Sequence, residues 1–444
     1  MTTPVYDFVR GYIEKSPVRA HMPGHKGASQ ECGFGAAYEY DITEIKGADA
    51  LFEADGIILE SEKNAAELFG AAETVYSCGG STACIQTMLA CACRKKKRII
   101  AARNAHRAFI NSCALLDIDV KWIYPVYSDS IVSGDITAAA VGKALSEYDA
   151  DAVYITSPDY LGHISDIKEI SQVCRRYNAY LLCDNAHGAY TAFLKENIHP
   201  VRLGADMCCD SAHKTLPVLT GGAYLHVNNE KLVGQAKEYM SMFCSTSPSY
   251  LILQSLDMCN AYLAGAFSEE LAVTCQKVTE LKERLSAVWD ICISEPLKLV
   301  IHTVSSGLYG YELADILRQD NIECEYADST HIVFMLSPKN SDDDLSRLRN
   351  ALEKVRMPKL LINTPHVKLP QMEQAVSIRE AAFSECRLVP VKEAAGKICG
   401  RAVTVCPPGI AAAVPGERIS DEAAEALFKL GITEINVILD SDWE

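Results

Sequence analysis

Hydrophobic and polar positions between residues 72 and 228 follow two alternating patterns. Short runs rich in β-branched and aromatic residues predict strands, and the stretches between them repeat apolar residues every three or four positions, which is typical of amphipathic helices. Strands that alternate with helices favour a mostly parallel sheet covered by helices on both faces. The sequence therefore predicts an α/β sheet of about seven strands, at 74–78, 98–102, 120–126, 152–157, 179–184, 205–210 and 222–227.

The clearest helix in this region is predicted over residues 166–177. Asp166 is a candidate N-cap with Glu169 three positions later. The apolar residues of one face are Ile167, Ile170, Val173, Cys174 and Tyr177.

A second βαβ-like unit is predicted after Pro296. Its strands lie near 297–304 and 331–337, a helix at 313–321 separates them, and another helix covers 342–355. The segment 361–371, rich in proline and polar residues, marks a boundary before a small α/β tail.

Composition excludes several classes of function. The net charge of −16 argues against a polyphosphate partner such as nucleic acid. No apolar run is long enough for a membrane-spanning helix, and the charged N-terminus does not resemble a signal peptide, so we expect a cytoplasmic protein. The 18 cysteines lie in apolar stretches without a CxxC pair, which indicates buried free thiols and no metal ion.

Candidate chemistry follows the predicted strands, because functional groups of an open parallel sheet collect beyond the carboxyl ends of its strands. The first strand is followed by Gly79-Gly80-Ser81-Thr82 and a helix. This pattern indicates either a phosphate cradle at a helix N-terminus or a plain tight turn. Gly33-Phe34-Gly35 follows no strand and lacks the third glycine of a dinucleotide fingerprint, which argues against a Rossmann cofactor site.

Two further strands end at titratable residues. Asp184 closes a buried strand, where it either meets a cation or caps the next helix. Lys214 follows another buried strand, where it is either a nucleophilic amine or a solvated surface lysine. A phosphate cradle, an aspartate and a lysine together match the needs of pyridoxal 5′-phosphate (PLP), namely a phosphate site, a partner for the pyridine nitrogen and a Schiff-base amine. His106, after the second strand, is a candidate to stack on the ring or is an ordinary core or surface histidine.

Several motifs resemble one family. The segments are His21-Met22-Pro23-Gly24-His25-Lys26-Gly27, Asp41-Ile42-Thr43-Glu44, Ser211-Ala212-His213-Lys214, 245–250 (STSPSY) and 406–419 (CPPGIAAAVPGERI). The chain resembles the Orn/Lys/Arg decarboxylase family, PLP enzymes of the aspartate-aminotransferase fold (fold type I), and is similar to its shorter members that lack an N-terminal wing domain. The resemblance spans nearly the whole chain.

The resemblance implies roles for individual residues. Lys214 would form the Schiff base with PLP, Asp184 would pair with the pyridine nitrogen, and His106 would stack on the ring. His187 would lie beside the phenolic oxygen of PLP. Lys214 or His213 would return a proton to the substrate's Cα after CO2 leaves. Further cofactor contacts are implied for Ser81, Thr82, Ala83, Ser211, His213 and, from the partner subunit, Thr246.

The resemblance also implies a homodimer or higher oligomer with active sites at the subunit interface. On this basis the chain is predicted to have four parts. They are an N-terminal segment at the dimer interface (1–50), a PLP-binding large domain (51–295), a small α/β domain (296–365) and a C-terminal α/β domain (366–444).

The expected reaction is decarboxylation of a basic amino acid to the corresponding amine and CO2. The residues at 46–52 depart from the family pattern, and the sequence does not separate arginine, lysine and ornithine. Candidate acids for the substrate's basic group are Glu44, Asp49 and Asp159. The alternatives are another fold type I PLP reaction, by an aminotransferase or a lyase, and a non-catalytic homologue.

Overall fold

A computed structural model describes residues 1–28, 33–127, 130–356, 367–405 and 409–439. The chain divides into two compact units. The first unit consists of Met1–Ala92 and Leu181–Leu271, and the second of Cys93–Tyr180 and Ala272–Glu444. The division into four parts predicted from the sequence stays a prediction.

The helices of the described residues are numbered in chain order. They are α1 (Pro4–Glu14), α2 (Ala37–Tyr40), α3 (Ile57–Phe69), α4 (Gly80–Ala92), α5 (Arg107–Leu116), α6 (Ala138–Glu147), α7 (Ile167–Arg176), α8 (Pro200–Leu203), α9 (Ala212–Thr215), α10 (Ala236–Ser241), α11 (Tyr250–Leu263), α12 (Phe267–Leu285), α13 (Gly310–Arg318), α14 (Asp342–Lys354), α15 (Ile378–Phe383) and α16 (Asp421–Lys429). Single 3-10 turns cover Ala189–Phe193, Val304–Ser306 and Val391–Glu393.

The strands are numbered in the same way. They are β1 (Glu73–Ser77), β2 (Arg98–Ala102), β3 (Asp119–Ile123), β4 (Val126–Tyr127), β5 (Gly134–Asp135), β6 (Ala152–Thr156), β7 (Tyr180–Asp184), β8 (Met207–Asp210), β9 (Ala223–Val227), β10 (Asp290–Ile291), β11 (Lys298–His302), β12 (Tyr326–Ala327), β13 (His331–Met335), β14 (Glu373–Gln374), β15 (Cys386–Pro390), β16 (Val403–Val405), β17 (Ile410–Ala413), β18 (Glu417–Arg418) and β19 (Glu434–Ile438).

The main sheet has seven strands in the order β1-β9-β8-β7-β6-β2-β3. Strand β9 runs antiparallel to both of its neighbours, while β7 and β8 are parallel, as are β2 and its partners β3 and β6. All seven predicted strands are present, so the predicted α/β sheet is confirmed. Strand β3 ends earlier than predicted, at Ile123, because Pro125 has no N–H to donate to a neighbouring strand.

Helix α7 begins where the sequence predicts. The Asp166 side chain accepts a hydrogen bond from the Glu169 N–H at 2.9 Å, and Ile167, Ile170 and Val173 are buried. The prediction that Tyr177 belongs to the buried face is wrong. The helix ends at Arg176, and Tyr177 stands at its C-cap with 45% of its surface exposed.

The second unit carries a further sheet in the order β10-β11-β13-β12. Strands β11 and β13 and the intervening helix α13 lie where the sequence predicts them. Their βαβ-like pairing is wrong, because β13 runs antiparallel to β11. The short strand β12 pairs antiparallel with β13 and reverses the chain between α13 and β13, and the sequence pattern did not indicate this strand.

No helix among the described residues is long and apolar enough to cross a membrane.

Candidate active site

The loop between β1 and α4 forms a cup at the N-terminus of a 13-residue helix. The Ser77 hydroxyl accepts from the Gly79 N–H at 3.1 Å and donates to the Gly80 carbonyl at 3.0 Å, and the Gly80 N–H donates to the Gly221 carbonyl at 2.8 Å. A Cβ on Gly79 would lie 3.2 Å from the Ala83 Cβ, so glycine permits this close approach. The following amides, those of Ser81 and Thr82, belong to the first helical turn, where N–H groups have no intrahelical acceptor.

Two predicted cofactor residues meet at this cup. The Ser211 hydroxyl lies 2.9 Å from the Ser81 hydroxyl. Ser211 directly follows β8, so this contact brings the lysine-bearing segment to the start of α4. Hydroxyl groups and helix N-terminal amides are the donors that bind phosphate oxygens in proteins.

Asp184 is the last residue of β7 and is 3% exposed. Its Oδ1 accepts from the Ala186 N–H at 3.2 Å and from the Cys209 thiol at 3.6 Å. Cys209 lies beside Asp184 in the parallel register of β7 and β8. The contact therefore follows from the pairing of the two strands.

Lys214 lies in the short helix α9, and its Nζ is 2.9 Å from Nε2 of His187. His187 is 4% exposed and follows Asp184 by three residues. His213 places its Nδ1 3.0 Å from the Gly222 carbonyl oxygen. A carbonyl oxygen only accepts, so His213 Nδ1 carries a proton, and Nε2 is the nitrogen that can take up and release a further one.

A cavity of about 570 Å³ adjoins the cup within the first unit. Its lining includes Thr82 and Ala83 from α4, Phe52, and two half-buried thiols, Cys78 and Cys244. Thr246 itself is exposed, and its neighbours Ser245 and Ser247 line the cavity. Nine predicted site residues thus belong to the first unit.

His106 belongs to the second unit. It caps α5, where its Nδ1 accepts from the Ala108 N–H at 3.1 Å. The residues around it come from the tail motif: Ile410 forms an isolated β-bridge with His106, and the Gly409 carbonyl accepts from the Arg107 N–H at 2.7 Å. A Cβ on Gly409 would lie 3.0 Å from His106 Nε2. Residues 406–408 of that motif lie outside the described residues.

The residues of the first unit fit PLP. The cup offers hydroxyl and amide donors for a phosphate, Asp184 offers a buried acceptor for a pyridine N–H, and Lys214 offers an amine beside an imidazole. Their roles toward the cofactor stay predictions.

The structure distinguishes the three candidate acids. The Asp49 carboxylate accepts from five backbone N–H groups, those of Ala50, Asp55, Gly56, Ile58 and Leu59. Asp159 is 2% exposed and accepts from the Ser133 hydroxyl and three backbone N–H groups. These two carboxylates organise loops, whereas Glu44 accepts from the neighbouring Thr43 hydroxyl at 2.6 Å.

Sequence reasoning missed Cys209 and Asp210, which both contact the segment that carries Asp184. Residues alternate between the faces of a strand, so two adjacent polar or thiol residues before the lysine motif point to opposite faces. That alternation was the available signal.

A cluster of possible metal ligands also lies near this segment. Donor atoms of His199, Cys208 and Asp210 come within 4.8 Å of one another, and all three residues are buried. The prediction of no metal ion rested on the spacing of nearby residues, and these three come together only in the fold.

Two family models match the chain. The model described as Orn/Lys/Arg decarboxylase, major domain, matches residues 3–296, and the one described as Orn/Lys/Arg decarboxylase, C-terminal domain, matches residues 359–433. A protein of Bacillus subtilis (strain 168) named arginine decarboxylase is 31% identical over 457 residues, which cover 96% of this chain and 93% of that protein.

Solved structures share the fold at low sequence identity. The Escherichia coli constitutive lysine decarboxylase aligns with a TM-score of 0.83 at 16% identity, covering 99% of this chain and 82% of that one. An alanine–glyoxylate aminotransferase from Nostoc aligns with a TM-score of 0.56 at 14% identity, covering 67% and 86%. These likenesses confirm the predicted aminotransferase-like fold (fold type I).

Proposed function

Because the chain belongs to the Orn/Lys/Arg decarboxylase family, we propose that it uses PLP to remove the α-carboxyl group of a basic amino acid. The predicted enzyme class, a PLP-dependent amino-acid decarboxylase, is confirmed at the level of the family. The proposal adds the residues that bind PLP and the substrate. Arginine is the first substrate to test, because the Bacillus subtilis relative is named an arginine decarboxylase.

The observation that carries the proposal is the contact between Lys214 Nζ and His187 Nε2 at 2.9 Å. An amine that faces an imidazole nitrogen can lose a proton to it, and a neutral amine is the nucleophile that a carbonyl cofactor needs. Asp184 and His187 lie on one turn, so the acceptor for a pyridine N–H and the partner of the lysine are set by the same segment.

The chain's residues have separate tasks in this proposal. The reaction breaks the bond between Cα and the carboxylate, leaves its electron pair at Cα and replaces CO2 with a proton. When bound, PLP supplies the electron sink for that pair. Asp184 offers a buried carboxyl group as the acceptor where the pyridine N–H would be held. Lys214 Nζ or His213 Nε2 supplies the proton at Cα, and His187 can return one to Lys214.

Phosphate binding falls to the start of α4. Ser81 and Ser211 supply paired hydroxyls, and the amides of the first helical turn add the positive end of the helix dipole. Thr82 and Ala83 stand in the same turn and line the adjoining cavity. We assign Thr246 to the partner subunit's site and His106 to the cofactor ring, as the family resemblance implies.

We also propose a cytoplasmic homodimer. In the first unit, Phe34, Met22 and Met242 expose 77%, 52% and 66% of their surfaces. Large exposed apolar side chains are typical of protein interfaces. Sedimentation of the PLP-loaded protein tests the oligomeric state.

The deciding experiment incubates the PLP-loaded protein separately with arginine, lysine and ornithine. CO2 and the amine are measured against the keto acid, so a decarboxylase is separated from an aminotransferase. We expect one amine and CO2 in equal amounts. Lys214→Ala should lower kcat by roughly 10³-fold or more, because no other group replaces the amine.

The matched control is Lys231→Ala, which removes an exposed lysine from the loop after β9. It should retain wild-type activity. Keto acid as the product would favour an aminotransferase, and absence of turnover with all three substrates would favour a non-catalytic homologue. Either result, or full activity of Lys214→Ala, contradicts the proposal.

A further inference from the structure

Asp210 is a buried carboxylate at the end of β8, immediately before Ser211. Its Oδ2 lies 3.0 Å from His199 Nε2 and 3.2 Å from His226 Nε2. Its Oδ1 accepts from the Asn185 amide at 2.7 Å and from the Cys208 thiol at 3.7 Å. Asp210 and its two histidine partners are 0% exposed. Four side chains therefore converge on one carboxylate, and three of them come from other parts of the sequence.

The hydrogen bonds define the protonation of the two histidines. His199 Nδ1 accepts from the Val201 N–H at 3.3 Å, so its proton is on Nε2 and points to Asp210. His226 Nδ1 lies 2.9 Å from the Thr74 hydroxyl, which can donate to it, so His226 also presents an Nε2–H to Asp210. Both rings can thus donate to Asp210 from Nε2.

Asp210 is the charged member of this group. Burial alone would raise the pKa of Asp210, but the interactions with His199 and His226 outweigh it and hold that pKa well below its usual value. Burial lowers the pKa of His226, which keeps its ring neutral. A buried carboxylate that accepts four hydrogen bonds is fixed in place, since rotating it would leave several donors without an acceptor.

Two contacts join this carboxylate to the proposed PLP site. Asn185, which donates its side-chain amide to Asp210, directly follows Asp184, and its backbone N–H donates to the Cys209 carbonyl at 2.9 Å. On the other side, Asp210 leads without a break into Ser211 and Lys214. One carboxylate therefore holds the turn that carries Asp184 and His187 against the segment that carries the lysine.

A metal ion is the competing explanation, because His199, Cys208 and Asp210 are residue types that bind zinc. Zinc would need the lone pair of His199 Nε2. That nitrogen instead carries the proton donated to Asp210, since Nδ1 accepts from a backbone N–H. The hydrogen bonds of the cluster account for its donors without an ion.

We propose that Asp210 is a positioning residue, which acts through Asn185 to set the place of Asp184 and His187 relative to Lys214. This inference rests on the proposed function, because it assigns a role toward the same PLP site.

The test compares Asp210→Asn with the wild type as PLP-loaded enzymes. Asparagine keeps the shape of the side chain but replaces one carboxylate oxygen with an NH2 group. That group would face the donors that now bind Asp210. We expect kcat to fall by about 10- to 100-fold with a much smaller change in KM, as for displaced supporting groups. The pH midpoint of the visible absorption of bound PLP should shift, and the Kd for PLP should rise.

The matched control is Asp206→Asn. Asp206 immediately precedes β8, and its carboxylate accepts from the Leu181 N–H at 2.7 Å. It should leave the absorption midpoint and kcat at wild-type values. If Asp210→Asn does not fold, Asn185→Ala is tested in its place. That variant removes the side-chain hydrogen bond between Asn185 and Asp210 and leaves the contacts of Asp210 with both histidines. We expect the same shift of the absorption midpoint in Asn185→Ala.

Unchanged absorption midpoints and kcat in Asp210→Asn and Asn185→Ala overturn the inference while the proposed function stands. An equal loss in Asp206→Asn also overturns it, because the effect would then be general to the strand. One equivalent of zinc in the wild type that is absent from Asp210→Asn overturns it in favour of a metal site. A wild type that binds no PLP overturns the proposed function and the inference together.

Discussion

Cys209 places its thiol 3.6 Å from Asp184 Oδ1, so a soft, weak donor supports the acid proposed to face the cofactor. Burial raises the pKa of the Cys209 thiol well above its usual value, so it stays protonated and donates. Cys209→Ala removes this donor. We expect kcat/KM to fall by about 3- to 10-fold, the effect of one hydrogen bond, with a shift in the pH midpoint of PLP absorption.

Cys113→Ala is the matched control for this variant, because it removes another fully buried thiol, from α5. Its kinetics and absorption should match the wild type. Identical kinetic losses in the two variants would show that Cys209 contributes only to packing.

Glu44 is our candidate for the acid that receives the substrate's basic group, since Asp49 and Asp159 are occupied by several loop N–H groups. Glu44→Gln should raise KM for the preferred basic amino acid by about 10-fold, because a charge-assisted hydrogen bond becomes a neutral one, and should change kcat less. Steady-state kinetics measure both. Glu53→Gln, an exposed neighbour, should have no effect, and an unchanged KM in Glu44→Gln would exclude this role.

Single residues were predictable from the sequence where they follow a strand. Asp184 stands out because it closes an apolar strand, and Lys214 because it lies in the S-x-H-K motif four residues after the next strand. Cys209 and Asp210 could not be assigned, since Cys209 meets Asp184 through the pairing of β7 with β8 and Asp210 meets residues as distant as His226. Their contacts depend on the fold and not on neighbouring letters.

Helix α3 begins at a loop held by Asp49, which has a positive φ of 70°. Its Oδ2 accepts from the Gly56 N–H at 2.9 Å and the Ile58 N–H at 3.0 Å, and its Oδ1 from the Ala50 N–H at 2.9 Å. Burial opposes ionisation of Asp49, but these hydrogen bonds outweigh it and lower its pKa. Asp49 lies in the segment that departs from the family pattern, and its carboxylate stabilises the loop before α3.

Asp49→Ala should lower the free energy of unfolding by about 1–2 kcal/mol at neutral pH, because the first turn of α3 loses its acceptor. A carboxyl group whose pKa is lower in the folded state stabilises the fold at pH values above its unfolded pKa of about 4. This stabilisation is lost as the pH falls through the folded-state pKa. The difference from wild type in urea unfolding should therefore shrink in acid. Asp55→Ala, whose side chain is exposed, should differ little from wild type, and a pH-independent difference for Asp49→Ala would contradict this account.

Strands and helices were largely predictable because their patterns are local. The seven strands of the main sheet and α7 follow the spacing of apolar residues. The direction of β13 was not predictable from the sequence. It depends on the two-residue strand β12, which is too short to show an alternation of apolar and polar residues. Tyr177 was wrongly placed on the apolar face of α7, because the helix ends one residue earlier, at Arg176.

At the scale of the whole molecule, a buried ion pair joins distant parts of the second unit. Arg103, after β2, donates to the carboxylate of Glu417 at 3.1 Å and to the carbonyls of Ala411 and Ala412 at 2.5 and 3.2 Å. Both side chains are about 1% exposed or less. The C-terminal region is thereby fixed to the loop that carries His106, which connects the tail motif with a predicted cofactor residue.

Glu417→Gln should lower the free energy of unfolding by about 3–5 kcal/mol, because the Arg103 charge would stay buried without its counter-ion. Urea unfolding of the PLP-free protein measures it. The exposed pair of Arg418 and Glu373 gives the control, since Glu373→Gln should cost less than about 1 kcal/mol. The double variant Arg103→Met with Glu417→Leu should recover part of the lost stability. Equal losses in Glu417→Gln and Glu373→Gln would contradict a special role for the buried pair.

All 16 cysteines that the structure describes are buried or half-buried, and burial raises the pKa of Cys78, at the edge of the cavity, to about 12. Alkylating reagents attack the thiolate, so the native chain should react slowly while an opened chain exposes many sulfur atoms at once. Pulsed alkylation followed by mass spectrometry can therefore map which segments open together, without introducing a label.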